Sequence, residues 1–107
     1  MVLGFDTLEQ YIDPEYRNNY PYFGALIGRY GNRIKGGEIT IDNKTHVLNK
    51  NEKENTLHGG TPGFDQRLWD AEQPDNEHLI LRYTSPDGEN GFPGTLDVTV
   101  RYSIENN

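Results

Sequence analysis

Leu96, Val98, Val100, Tyr102 and Ile104 alternate without a break against Thr95, Asp97, Thr99, Arg101 and Ser103. A period of two places the first set on one face of an extended chain and the second on the other. A helix would scatter the same residues around its axis, so 95–104 is predicted to be an antiparallel strand with one wet face. Such a strand needs a sheet beside it and a second layer over its apolar face.

Shorter runs of the same kind supply neighbours. Leu79, Leu81 and Tyr83 share one face of a strand over 79–84, and 67–72 reads as another, with Leu68 alternating against Trp69. Residues 38–48 read as a hairpin, Ile39 and Ile41 on the outgoing strand and Val47 and Leu48 on the return. Asp42-Asn43-Lys44 makes its turn, because Asn tolerates positive φ. Polar stretches at 49–54 and 75–77 read as a loop and a turn. The apolar run 23–28 fits either a buried strand or the first turns of a helix, and periodicity does not separate them. Residues 1–22 read as a loop punctuated by Pro14 and Pro21. One helical turn is expected near 7–11, where Thr7 caps and Gln10 reaches back. Several strands set off by turn clusters, without a long helix, predict an all-β antiparallel architecture.

The chain has 107 residues, 33% of them hydrophobic, and 12 glycines. It is one domain at most, with a thin core. A formal net charge of -7 opposes the phosphate backbone, and Lys35, Lys44, Lys50 and Lys53 are scattered among acids, so no nucleic-acid partner is expected. No apolar run approaches a membrane span and no signal peptide opens the chain, so no membrane partner is expected. The absence of cysteine agrees with a reducing, cytoplasmic setting, a secreted form staying open. The spacings of His46, His58 and His78 match no metal-ligand pattern, so no metal is expected.

Two stretches carry the chemistry. Gly28-Arg29-Tyr30-Gly31-Asn32-Arg33-Ile34 offers two guanidiniums and an amide within five residues. Asn55-Thr56-Leu57-His58-Gly59-Gly60 offers an imidazole beside a glycine pair. Alone, His-Gly-Gly also suits a turn that closes a strand. Together, forked donors, an amide and an imidazole are equipment for gripping a neutral polyhydroxyl compound.

These two motifs, followed by Gly63-Phe64-Asp65, Trp69 and Ser85-Pro86-Asp87-Gly88-Glu89-Asn90-Gly91-Phe92-Pro93-Gly94, resemble the aldose 1-epimerases (galactose mutarotases) in order and spacing. The opening Val2-Leu3-Gly4-Phe5-Asp6-Thr7-Leu8 fits as well. Gly31 stands where family members commonly carry Ala. The resemblance implies an antiparallel β-sandwich of the galactose mutarotase type, present over 1–107 as the early portion of a longer domain. It implies that Asn32, Arg33 and His58 bind an aldose, galactose or glucose, with His58 as an assistant in protonation, and that no cofactor is needed. The family's main acid, a His in an Asn-His motif, and its base, a late Glu, have no counterpart in these residues, so no catalytic residue is assigned.

Several further expectations follow. Arg29 pairs with an acid in a structural role. Asp65 is a solvated loop acid, and Asp87 and Glu89 fix the 85–94 turn through backbone hydrogen bonds. His46 and His78 are exposed. Exposed strand edges favour self-association. Three alternatives stay open. One is a non-catalytic sugar-binding module with Trp69 or Phe92 stacked on the sugar. Another is a sugar-phosphate epimerase relative in which Arg29 meets phosphate. The third is a structural β-domain.

Overall fold

The computed structural model describes residues 2–105. Its strands are β1 (Arg33–Ile34), β2 (Glu38–Ile41), β3 (Lys44–Val47), β4 (Thr56–Leu57), β5 (Asp70–Glu72), β6 (His78–Ser85) and β7 (Leu96–Ser103). They form three sheets, β1-β4, β2-β3 and β5-β6-β7. Every pairing is antiparallel. The long alternating run is β7, as its period requires. It pairs with β6 over eight residues, from His78 opposite Ser103 to Ser85 opposite Leu96.

The hairpin turns on two residues rather than three. Asp42 and Asn43 both adopt positive φ, 48° and 60°, and Lys44 already pairs with Ile41. Two left-handed residues give the turn whose twist matches that of the flanking strands. The strand expected over 67–72 shortens to β5. Phe64–Gln66 forms a 3-10 turn, and Leu68 points to solvent, 95% exposed. Residues 23–28 are neither strand nor helix; Tyr22 and Ala25 close a turn there with a 3.1 Å hydrogen bond. Gly28 lies against the Phe64 ring, so closely that a Cβ would sit 2.3 Å from a ring carbon.

The N-terminal segment is more ordered than its pattern suggests. Helix α1 (Leu8–Ile12) starts at Thr7, whose N–H donates to Gln10 Oε1 at 3.2 Å. A second helix, α2 (Pro14–Asn19), occupies a stretch expected to be loop. Asp13 caps it by accepting from Glu15 N–H at 2.8 Å. Pro14 opens it, at the one helical position where a missing N–H costs nothing. Phe5, Tyr11, Tyr16 and Phe23 pack edge-on or tilted at 5.1–6.0 Å and hold both helices together.

The core is small. Leu48, Phe64, Ile80 and Phe92 are its buried apolar side chains. Trp69 and Tyr83 stack around Phe64 with ring centres 5.3–5.7 Å apart. The apolar face of β7 is largely open, with Leu96 41% and Tyr102 42% exposed. Among the described residues, no helix is long and apolar enough to cross a membrane.

Candidate functional site

Two very short strands assemble the site. β1 and β4 pair Arg33 with Leu57 and Ile34 with Thr56. The ladder runs on past both strands. His58 N–H donates to Asn32 O at 2.9 Å, and Asn32 N–H donates to His58 Nδ1 at 3.0 Å. Asn32, Arg33 and His58, separated by up to 26 positions, therefore lie side by side.

Each polar group has a definite state. Because Nδ1 of His58 accepts a hydrogen bond, the neutral ring carries its proton on Nε2, which makes no bond to a described residue. The Arg33 guanidinium grips Glu52 in a forked pair, with Nε at 2.8 and 3.0 Å from the carboxylate oxygens and Nη2 on Oε1. Nη1 donates to Asn32 Oδ1 at 3.2 Å. Of the guanidinium's five N–H bonds, three are engaged and two remain to donate outward. The Arg33 hydrogen bond holds the Glu52 carboxyl below the usual carboxylate range, and the same bond raises Arg33. Glu52 is thus a fixed anion that orients the cation.

Amide side chains brace the loop beneath. Asn51 clamps Leu57, accepting from its N–H at 2.7 Å and donating to its carbonyl at 2.9 Å. Asn90 donates to the carbonyls of Gly59 and Pro62, both at 2.9 Å, tying the 85–94 loop to the His58 turn. Asn55, which the motif sets three residues before His58, accepts from Gly36 N–H at 3.2 Å and so supports backbone. Tyr22 closes the other side, its ring 4.8 Å from the imidazole and edge-on to it.

Tyr22 leads into a half-buried chain of phenols. Tyr20 packs on Tyr22 at 4.3 Å and donates to Asp65 Oδ2 at 2.7 Å. Burial raises the Tyr20 phenol well above its ordinary value of 10.0, and Asp65 adds to the rise. Burial raises Tyr22 and Tyr83 too, helped by Asp65 and Glu89 respectively. A folded phenol that holds its proton more tightly than the unfolded one stabilises the fold fully below the unfolded value. That stability is lost as pH rises past it. The melting temperature is expected to fall from about pH 10 upward, less steeply in Tyr20→Phe. Equal slopes in the two proteins over that range would contradict the assignment.

Several expected roles change. Arg29 is structural, but it meets backbone and a hydroxyl rather than an acid. It donates to Ser85 Oγ at 2.8 Å and to the carbonyls of Ser85, Pro86 and Pro93 at 2.8–3.1 Å. Four of its five N–H bonds are consumed, which removes it as a phosphate ligand. Phe92 is buried, and Trp69 packs on Phe64 while its N–H donates to the Phe64 carbonyl at 3.0 Å. Burial closes Phe92 to a sugar, and half-buried Trp69 lines a cavity that Asn32, Arg33 and His58 do not. Asp65 is not a free loop acid, because Tyr20 pins it. Asp87 does fix its turn, accepting from Gly94 N–H. Glu89 instead buries its carboxylate among Tyr83, Ser85 and Arg67. His46 and His78 are half-buried rather than exposed, and His78 pairs with Asp75 at 2.8 Å.

Glu52, Tyr22, Asn51 and Asn90 were not legible as site residues. They come from separate loops, and nothing local marks an Asn that braces a turn from one that merely makes one. The three central residues form a shelf. A cavity of about 900 Å³ between α1, α2 and the Phe64–Trp69 segment is lined by none of Asn32, Arg33 and His58.

The family model described as aldose 1-epimerase matches residues 1–107. The galactose mutarotase of Bos taurus is 46% identical over 105 residues, covering 98% of this chain and 29% of that protein. The aldose 1-epimerase of Escherichia coli K12 is 39% identical over 89 residues, 83% of this chain and 26% of the other. A galactose 1-epimerase structure from Lactobacillus acidophilus NCFM superposes with TM-score 0.79 at 32% identity, over 99% of this chain and 31% of that one. An aldose epimerase homologue from C. elegans gives TM-score 0.80 at 29% identity, over 96% and 30%. The chain thus spans about a third or less of the length of these relatives, and its all-β fold is a partial domain of the galactose epimerase type. With its whole length matched by that model, the chain belongs to the aldose 1-epimerase family.

Proposed function

We propose that residues 1–107 are the early portion of a longer sandwich domain, and that this portion supplies the sugar grip of an aldose 1-epimerase. Asn32, Arg33 and His58 bind a neutral aldose, galactose or glucose. The observation that carries this reading is the reciprocal bonding of Asn32 and His58 beside a guanidinium held by Glu52. It leaves an Nε2–H and two guanidinium N–H bonds without a partner among the described residues, a donor set that suits hydroxyl and ring oxygens. The Asn32 Nδ2, which bonds no described residue, adds a further donor.

Mutarotation opens and recloses a sugar ring. A base takes the anomeric proton while an acid protonates the ring oxygen, each worth roughly 10²–10⁴ in rate. His58 can assist at the ring oxygen through Nε2. Glu52, neutralised by Arg33, is a poor base, and the family's acid His and base Glu have no counterpart here. In this reading the 107-residue chain binds sugar and interconverts anomers feebly, while the longer domain carries the activity. No nucleic acid or membrane takes part, in keeping with the charge of -7. The setting is cytoplasmic, with which a cysteine-free chain agrees.

The test is a galactose titration followed by amide NMR, with polarimetry of fresh α-glucose alongside. Shifts are expected at 32–33 and 57–60. Arg33→Ala and His58→Ala are expected to weaken binding at least about tenfold, the scale of one charged hydrogen bond. Binding that survives both substitutions, or shifts confined to other loops, would sink the assignment.

A further inference from the structure

We propose that Glu52 is a specificity-determining residue of the sugar grip. By filling the fork of Arg33 with a fixed anion, it admits neutral aldoses and turns away anionic ones, the hexuronates and sugar phosphates. The inference rests on the sugar-binding reading above and adds the class of ligand that the grip refuses.

A bare guanidinium prefers an anion to a hydroxyl. Its planar fork matches the oxygens of carboxylate and phosphate, and charge-assisted hydrogen bonds are roughly twice as strong as neutral ones. A site for neutral sugars that is built on an Arg therefore needs something that works against acids. Glu52 does so in two ways. Nε and Nη2 of Arg33 both donate to its carboxylate, so one forked edge of the guanidinium is already taken. Its charge also offsets that of Arg33, so an arriving anion meets attraction and repulsion of similar size. A hydroxyl carries no net charge, is not repelled, and still finds the two remaining guanidinium N–H bonds. Arg29, the other guanidinium of the motif, is engaged by Ser85, Pro86 and Pro93 and gives an acid no second anchor.

Backbone sets the place of Glu52. Its N–H donates to Asn55 O at 3.2 Å and its carbonyl accepts from Asn55 N–H at 2.9 Å, closing a turn over Lys53 and Glu54. β4 follows at Thr56, so the segment that carries His58 also carries the anion. The Arg33 hydrogen bond does most to keep the Glu52 carboxyl charged, and Asn55 and Lys53 act in the same direction. Glu54 is a different kind of acid. It is 85% exposed, with Lys50 Nζ 3.4 Å away.

Amide NMR titrations of the full chain with galactose, galacturonate and galactose 1-phosphate test the assignment, at neutral pH and low ionic strength, where charge is least screened. The two acids carry their charge at opposite ends of the sugar, so the outcome does not hinge on which end faces Arg33. The parent chain is expected to bind galactose more tightly than either acid. Glu52→Gln keeps the length of the side chain and an acceptor for Arg33 but removes the charge. It is expected to raise the affinity for at least one acid about fivefold relative to galactose, the upper end for a pair open to solvent. Adding Arg33→Gln to it should abolish that gain. Glu54→Gln makes the same charge change on the same turn and should leave the ratio at the parent value, which separates the Arg33 pair from the general charge of -7. A parent chain that binds either acid as tightly as galactose overturns the proposal, and that arm needs no variant. So does a ratio that Glu52→Gln leaves unchanged, a gain that survives Arg33→Gln, or an equal gain in Glu54→Gln. In each of those cases galactose still shifts 32–33 and 57–60 and the sugar grip stands. A parent chain that galactose does not shift there sinks the grip itself, and the role of Glu52 with it.

Discussion

Glu89→Ala is expected to lower the melting temperature by about 12–24 °C, from a loss of about 3 kcal/mol in a domain of this size. The Glu89 side chain is 7% exposed. It accepts from Tyr83 Oη at 2.6 Å and from Ser85 Oγ, and it pairs with Arg67 at 2.8 Å. Ser85 is fully buried, and its hydroxyl also accepts from Arg29 Nε. Removing the carboxylate strands a guanidinium, a phenol and a hydroxyl in one place. The lower end of the range for a broken buried pair applies because Arg67 is 28% exposed and can reach water. Glu89→Gln keeps an acceptor without the charge and should fall between the two proteins. A melting temperature within about 2 °C of the parent, half the smallest shift expected for 1 kcal/mol, would show that the cluster holds nothing together.

Gly59→Ala is expected to be comparably damaging, for a reason that involves no lost contact. Gly59 has φ of 85°, and a Cβ there would lie 1.8 Å from the Gly28 carbonyl oxygen. Both sides of the clash are backbone, so no side chain can swing away. Left-handed strain of about 1–3 kcal/mol adds to overpacking of about 1–3 kcal/mol. The His58 turn must move off the Gly28–Arg29 strand of chain, and sugar binding should disappear along with stability. Thermal melts and the NMR titration check this together. Gly88→Ala is the control: its φ is also positive, 79°, but nothing lies within 4 Å of its Cβ, so only the strain should register. If the two variants melt alike, the close approach at Gly59 is not what matters.

Legibility followed the range of the forces concerned. β7 and β6 were readable because alternation acts between neighbours in sequence. The Thr7–Gln10 helix start was readable because a capping box spans four residues. α2 is hidden from a reading by pattern because Pro usually breaks a helix, although Pro14 stands at the first helical position behind Asp13, a good cap. The Phe64–Leu68 segment could not be read as irregular, since the Phe64 ring on Gly28 and the Trp69 bond to a carbonyl fix it from outside. Arg29 is structural, as expected, but it meets hydroxyl and carbonyl oxygens rather than an acid. A guanidinium accepts any convergent set of oxygens, and Ser85, Pro86 and Pro93 converge only after the chain has folded.

By itself the sequence determined the strand-rich class, the positions of the long strands and the two motifs that name the family, because periodicity and motif order are properties of the chain in one dimension. Only the tertiary structure decided that Asn32 and His58 bond each other, that Glu52 holds Arg33, and that Glu89 is buried while Leu96 and Tyr102 are open. Those facts depend on which distant segments meet, and burial and pairing have no value until they do.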